Sequence, residues 1–166
     1  MDEVPTEPVP ASRARLAIIT EPGQANAYGT LHGGVLLRLA DECGAIAALR
    51  HVGKGQITTA AMDSMTFVGP VYVGERVEIS AEVTYVGRTS IETRIEIVAE
   101  PLERAEPRRV AVGYALYVAL DDSGVRPQPV PPLPIRSEAD RRVHQAAIAR
   151  QAVRLERRSE ARGSGE

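Results

Sequence analysis

The rhythm of hydrophobic and polar residues changes several times along this chain, and each change marks the edge of an element. Leu16 to Ile19 form a short apolar run stopped by Glu21-Pro22-Gly23, which predicts a first strand. A loop of small and polar residues, Gln24 to His32, follows. Gly34 to about Arg50 is apolar at helical spacing, and Gly53 and Gly55 end that helix. The period then falls to two. Gln56 to Phe67 reads as a strand closed by Gly69-Pro70. From Arg76 to Val86, the residues Val77, Ile79, Ala81, Val83 and Tyr85 alternate with polar ones, the pattern of a half-buried strand. Gly87-Arg88 turns into Ser90 to Glu100, where Ile91, Thr93, Ile95 and Ile97 repeat the alternation. In the last long strand Val110, Val112, Tyr114, Leu116, Val118 and Leu120 share one face, with Ala111, Gly113, Ala115 and Ala119 between them, and Asp121 to Gly124 closes it as a turn.

A strand, one long helix and four long strands with short connections imply antiparallel neighbours, hence an α+β fold in which one sheet wraps a single helix. The small-residue face of the last strand invites another layer to approach closely. The order of elements places this domain at residues 15–122, behind a flexible leader at 1–14. Residues 123–136 form a Pro-rich connector, and 137–166 a charged C-terminal helix and tail with Ser137 as N-cap. The apolar stripe of that helix (Val143, Ala147, Ile148, Ala152, Val153, Leu155) is narrow, which suggests a surface or assembly helix.

Composition removes whole classes of function. A formal charge of -2 over 166 residues, with no basic face carrying interleaved aromatics, gives no footprint for nucleic acid. No apolar run approaches the ~20 residues that cross a bilayer. The acidic, Pro-rich N-terminus lacks the charged start and apolar core of a secretory signal, so the expected location is cytoplasmic. The single cysteine, Cys43, rules out an internal disulfide framework, and no Cys/His cluster has zinc-ligand spacing.

The long helix carries the chemistry. Between Gly33 and Leu49 its only charged residues are Arg38, Asp41 and Glu42. Asp41 has two tiny neighbours, Gly44 and Ala45, which leave space beside its carboxylate. Either it pairs with Arg38 on a solvated stripe, or it is a working base or nucleophile. At the helix start, His32-Gly33-Gly34 leaves backbone N–H groups unblocked at the positive end of the dipole, where a carbonyl oxygen could be held. Tight packing is the alternative use of those glycines. Cys43 reads as core packing, His51 as a helix-end cation and His144 as part of the tail. Asp63 and Ser64 lie on the strand beside the helix and either support the site or are simply exposed.

The stretch Asn26-Ala-Tyr-Gly-Thr-Leu-His-Gly-Gly-Val-Leu-Leu-Arg-Leu-Ala-Asp41 and its continuation to Ala48 resembles the signature of hot-dog-fold acyl-CoA thioesterases, in particular the cytosolic broad-range acyl-CoA hydrolases. Ser64 to Val71 and Val86 to Ser90 resemble the same group. The resemblance spans roughly Leu16 to Leu120. It implies a hot-dog fold paired into a homodimer, in some cases a trimer of dimers. Its reaction is hydrolysis of acyl-CoA to fatty acid and CoA without metal or organic cofactor. Carried over by position, Asp41 is the general base or nucleophile, Asn26 its polar partner from the other subunit, and Gly33 the N–H donor to the thioester oxygen. Gly34 and His32 would touch the substrate, while Arg88, Thr89 and Ser90 would line the CoA path with Arg88 on phosphate. A non-catalytic acyl-CoA sensor is the alternative in a different class. A hot-dog dehydratase is the enzymatic one, with His32 as the only candidate base near the helix start.

Overall fold

The computed structural model describes residues 12–103 and 106–163. Strand β1 (Arg13–Ile19) and a 3-10 turn (Pro22–Gln24) lead to helix α1 (Gly33–Val52). Strands β2 (Gln56–Phe67), β3 (Arg76–Val86), β4 (Ser90–Glu100) and β5 (Arg108–Leu120) follow, then helix α2 (Glu138–Gly163). The strands form one sheet in the order β1-β3-β4-β5-β2, every neighbouring pair antiparallel. The sheet wraps α1, as the order of elements requires.

The first strand starts at Arg13 rather than Leu16, because Arg13 to Arg15 join the β3 ladder opposite Glu82 to Ser80. The end of the expected leader is therefore sheet, and residues 1–11 lie outside the described ones. Helix α1 ends at Gly53, whose φ of 79° and N–H to Leu49 carbonyl make a C-terminal cap.

Alternation along β3, β4 and β5 puts Ile79, Ile91, Ile95, Ile97 and Tyr117 against Leu36, Leu39, Ala40, Cys43 and Ala47 of α1, all of them buried. Such aliphatic burial is worth about 1.5–3 kcal/mol per large side chain. The small face of β5 serves the close approach foreseen for it. A Cβ on Gly44 of α1 would lie 2.3 Å from the Tyr117 hydroxyl oxygen and 2.9 Å from Thr93 Oγ1.

The opposite face of the sheet is crossed by α2. Adjacent residues on a strand point to opposite faces, so Thr93 meets α1 while Glu92 meets α2. Glu92 is fully buried. It accepts from Thr84 Oγ1 (2.6 Å) and from Arg150 (2.7 Å), and it pairs with Arg154. Arg150 also stacks over the Tyr114 ring at 3.8 Å. The helix thus docks chiefly through charge: Ala147 is buried, whereas Val143, Ile148, Val153 and Leu155 of the narrow stripe stay exposed. Ser137 caps α2 by accepting from the Asp140 N–H at 3.0 Å.

The connector between β5 and α2 is tied down along its length. Gln128 N–H donates to Ala119 carbonyl (2.9 Å), Val130 N–H to Arg88 carbonyl (3.0 Å), and His51 Nε2 to Pro131 carbonyl (2.9 Å). His51 thereby joins the end of α1 to the connector, a more specific role than that of a helix-end cation.

Glu92→Gln leaves two guanidinium groups facing a neutral partner in a buried site. The variant should lose about 3–5 kcal/mol of stability in urea unfolding. A loss below about 1 kcal/mol would mean that the arginines simply relax into water.

Candidate active site

Asp41 stands at the close approach of α1 to β5. Its Oδ1 accepts from Thr59 Oγ1 of β2 at 2.9 Å and from the Tyr117 hydroxyl at 3.3 Å. Tyr117 also donates to the Asp41 backbone carbonyl at 3.1 Å. Arg38 is taken by Glu42 at 2.6 Å, one turn along the exposed stripe, so the Asp41–Arg38 pair does not form. The partners of the carboxylate are neutral hydroxyls, and both bond the same oxygen. Among the described residues no hydrogen bond reaches Oδ2.

Tyr117 is completely buried. Burial, reinforced by the adjoining Asp41 carboxylate, holds its phenol well above the ordinary tyrosine range. It therefore stays protonated and remains a donor. Cys43, also buried, is pushed up to about 11, mainly by loss of water, and its Sγ lies 3.5 Å from Ile79 carbonyl. A thiol so placed is core, not nucleophile.

At the start of α1, His32 is the N-cap and its Nδ1 accepts from the Gly34 N–H at 2.9 Å. Of the two glycine N–H groups expected to be free, Gly34 is consumed by this cap. Gly33 N–H donates to no group among the described residues. Asn26 folds its own loop: Oδ1 accepts from Tyr28 N–H (2.9 Å) and Thr30 N–H (3.2 Å), and Nδ2 donates to Thr30 Oγ1 (2.9 Å). One amide hydrogen of Asn26 is left over. The loop is buttressed from the segment after β2, where Leu31 N–H donates to Val71 carbonyl at 2.8 Å. Glu75 holds that segment by accepting from Tyr72 N–H and from Arg108.

Sheet register shows which expected residues come together. Thr59 and Ile91 both pair with Tyr117, so the Gly87–Ser90 turn lies just beyond the row that holds Asp41. Within the turn Gly87 N–H donates to Ser90 carbonyl (2.8 Å), and the carbonyls of Arg88 and Thr89 accept from Val130 and Ala119. The Arg88 side chain is exposed and makes no ion pair among the described residues. Gly33 lies at the other end, beside Phe67. Gly33 and Asp41 are eight residues apart on α1, a separation of ~12 Å along the axis. Within one chain the two groups therefore stand apart.

The sequence profile of the Thioesterase superfamily matches residues 28–106. An uncharacterised acyl-CoA thioester hydrolase of Bacillus subtilis, YkhA, is 33% identical over 82% of this chain and 78% of its own length. The chain belongs to the thioesterase superfamily. The cytosolic acyl coenzyme A thioester hydrolase of Mus musculus is 32% identical over 79% of this chain, which spans 34% of that protein. Among solved structures, the Staphylococcus aureus acyl-CoA hydrolase in complex with butyryl coenzyme A, coenzyme A and coenzyme A disulfide superposes with a TM-score of 0.84 at 30% identity, covering 93% of each chain. A hexameric acyl-CoA thioesterase gives 0.83 at 32% identity, over 91% of this chain and 96% of the other. The fold shared with this superfamily is the hot-dog fold expected from the signature at Asn26 to Ala48.

Thr59 and Tyr117 escape the sequence reading. Tyr117 had a signal, since it is the one large side chain among Ala111, Gly113, Ala115 and Ala119 on the small face of β5. Thr59 had none, because its neighbour Thr58 is the same residue type and only register tells them apart. Asp63 and Ser64 do not contact Asp41. Asp63 points to the other face, where Arg154 Nε lies 2.8 Å from its carboxylate.

Gly44→Ala tests the close approach. Alanine favours helix by about 1 kcal/mol over glycine, yet the added methyl would meet the Tyr117 oxygen at 2.3 Å. Overpacking of this kind costs about 1–3 kcal/mol, so the net change in chemical denaturation should be destabilising. A stabilised Gly44→Ala protein would show that Tyr117 does not fill the space under α1.

Proposed function

We propose that the protein hydrolyses the thioester of acyl-CoA to a free fatty acid and CoA, with Asp41 as general base or nucleophile. The observation that carries this is a carboxylate on a helix with few charges, whose partners are two hydroxyls instead of a cation. A salt bridge would tie up the charge. Hydroxyl donors orient one oxygen and leave the other to activate water or to attack the thioester carbon. The names of the relatives and the coenzyme A ligands of the Staphylococcus aureus enzyme support this substrate class. That enzyme has also been solved with an asparagine and an aspartate, fifteen positions apart, each replaced by alanine. Asn26 and Asp41 have the same separation.

The site is shared between subunits. Gly33 N–H would polarise the thioester oxygen as an oxyanion donor, and the ~12 Å between Gly33 and Asp41 is bridged only if each comes from a different copy. Asn26, with its spare amide hydrogen, joins Gly33 on that second half-site. His32 and Gly34 shape the helix start that faces the substrate. A homodimer is then the minimal unit, and a trimer of dimers accords with relatives solved as hexamers. The chain has surface for such contacts. Edge strand β2 ends in Phe67 and Val68, exposed at 45% and 58%, and Tyr28 beside Asn26 is 91% exposed. The turn at Arg88, Thr89 and Ser90 lies next to the Asp41 half-site, where the Arg88 guanidinium, without an ion pair among the described residues, suits a CoA phosphate. The reading keeps the enzyme cytoplasmic, in line with a relative named cytosolic. No helix among the described residues is long and apolar enough to cross a membrane.

Purified protein incubated with acyl-CoAs of several chain lengths should release free thiol. Saturable acyl-CoA binding without thiol release at any length would move the protein to the sensor class. Asp41→Asn should lower kcat by about 10²–10⁴-fold, the range of a lost general base, and a wild-type rate would remove the assignment. Mixing inactive Asn26→Ala and Asp41→Asn chains should restore part of the activity. No restoration after confirmed subunit exchange would argue for sites complete within one chain.

A further inference from the structure

Strand β2 contains two irregularities, one between Thr59 and Ala61 and one between Met62 and Ser64. The extra residues are Ala60 and Asp63. In a regular strand residues four apart face the same side, so Thr59 and Asp63 would point together. They do not. Thr59 reaches Asp41 on the α1 face, whereas Asp63 meets Arg154 of α2 on the other face. The first bulge inverts the alternation and the second restores it, returning Met65 to the core and Phe67 to Gly33.

The bulges also set how far Thr59 reaches along its neighbour. Six steps on β2, from Thr59 to Met65, run beside only four steps on β5, from Tyr117 to Gly113. If β2 relaxed to a regular strand, Thr59 would slide past Tyr117 and away from Asp41. The bulge has a built socket: a Cβ on Gly113 would fall 2.4 Å from Ser64 carbonyl oxygen. On the outer side it is held by Arg154, whose side chain is only 10% exposed and also reaches the fully buried Glu92 and, on its own helix, Gln151.

We infer that Arg154 and Asp63 form a positioning clamp through which the C-terminal helix fixes the register of β2 and so sets the Thr59 hydroxyl on Asp41. Neither residue touches the reacting atoms. The clamp joins β4, through Glu92, to edge strand β2, which among the described residues has a ladder partner on one side only. Its consequence for turnover rests on the hydrolase reading above. Its consequence for β2 does not.

Asp63→Ala separates β2 from the helix while leaving Arg150 and Arg154 on Glu92. With acyl-CoA as substrate, kcat should fall ~10-fold with KM within about twofold, the signature of lost alignment and not of lost binding. Thr59→Val should lower kcat comparably, and the double variant should be little worse than either single one, because both act on the same carboxylate. An unchanged kcat in Asp63→Ala, or fully additive losses, overturns the clamp. Amide hydrogen exchange reads the same claim without activity. Exchange across residues 59–65 should quicken in Asp63→Ala and in Gly113→Ala while β3 and β4 keep wild-type protection. Wild-type protection of β2 in both variants overturns the clamp. Faster β2 exchange in a protein whose wild type releases no thiol supports the clamp and overturns the hydrolase reading alone.

Discussion

The structure depends on how closely α1 can approach the sheet at Gly44. There the helix has no side chain, and the space is filled by the Tyr117 hydroxyl and Thr93. That contact does two jobs at once. It seats an apolar helix on a sheet whose last strand offers mainly alanine and glycine, and it delivers a buried phenol to the backbone carbonyl and carboxylate of Asp41. A larger residue at position 44 would lift the helix and take the phenol with it. Packing and chemistry are therefore set by one missing Cβ.

The two faces of the sheet are held by different forces. Toward α1 the contact is aliphatic and nondirectional. Toward α2 it is a directional cluster of Glu92, Arg150, Arg154 and Asp63. Buried ion pairs add little net stability over apolar packing, since desolvation offsets much of the attraction. What they supply is position: a guanidinium fork meets carboxylates in few geometries. A helix docked through hydrophobic side chains could slide along the strands, whereas one docked through Arg154 has to keep both Glu92 and Asp63. This explains why a helix with so narrow an apolar stripe is nevertheless firmly seated.

Much of this was legible in the chain. The period-two runs at Arg76 to Val86 and Ser90 to Glu100 emerged as strands at those same residues, and the helix differed by one or two residues at each end. The candidate carboxylate could be picked out because charge is rare on α1, and in the fold Asp41 accepts from the Thr59 and Tyr117 hydroxyls. Other features could not be read. Thr59 is one of two adjacent threonines, and Asp63 looked like a polar residue beside the site when it lies on the opposite face. The face that Asp63 takes is set by the bulges, which leave no mark in hydrophobic alternation.

The sequence by itself determined the elements, their antiparallel order and the family signature from Asn26 to Ala48. These follow from local periodicity, turn residues and short connections, all properties of neighbours along the chain. Only the tertiary structure decided what Asp41 touches. Arg38, its nearest cation on the helix, is drawn to Glu42, and the hydroxyls that replace it come from positions 59 and 117. Those contacts hinge on strand register, which two extra residues in β2 reset, and a register shift is a relation between strands that neither strand encodes alone.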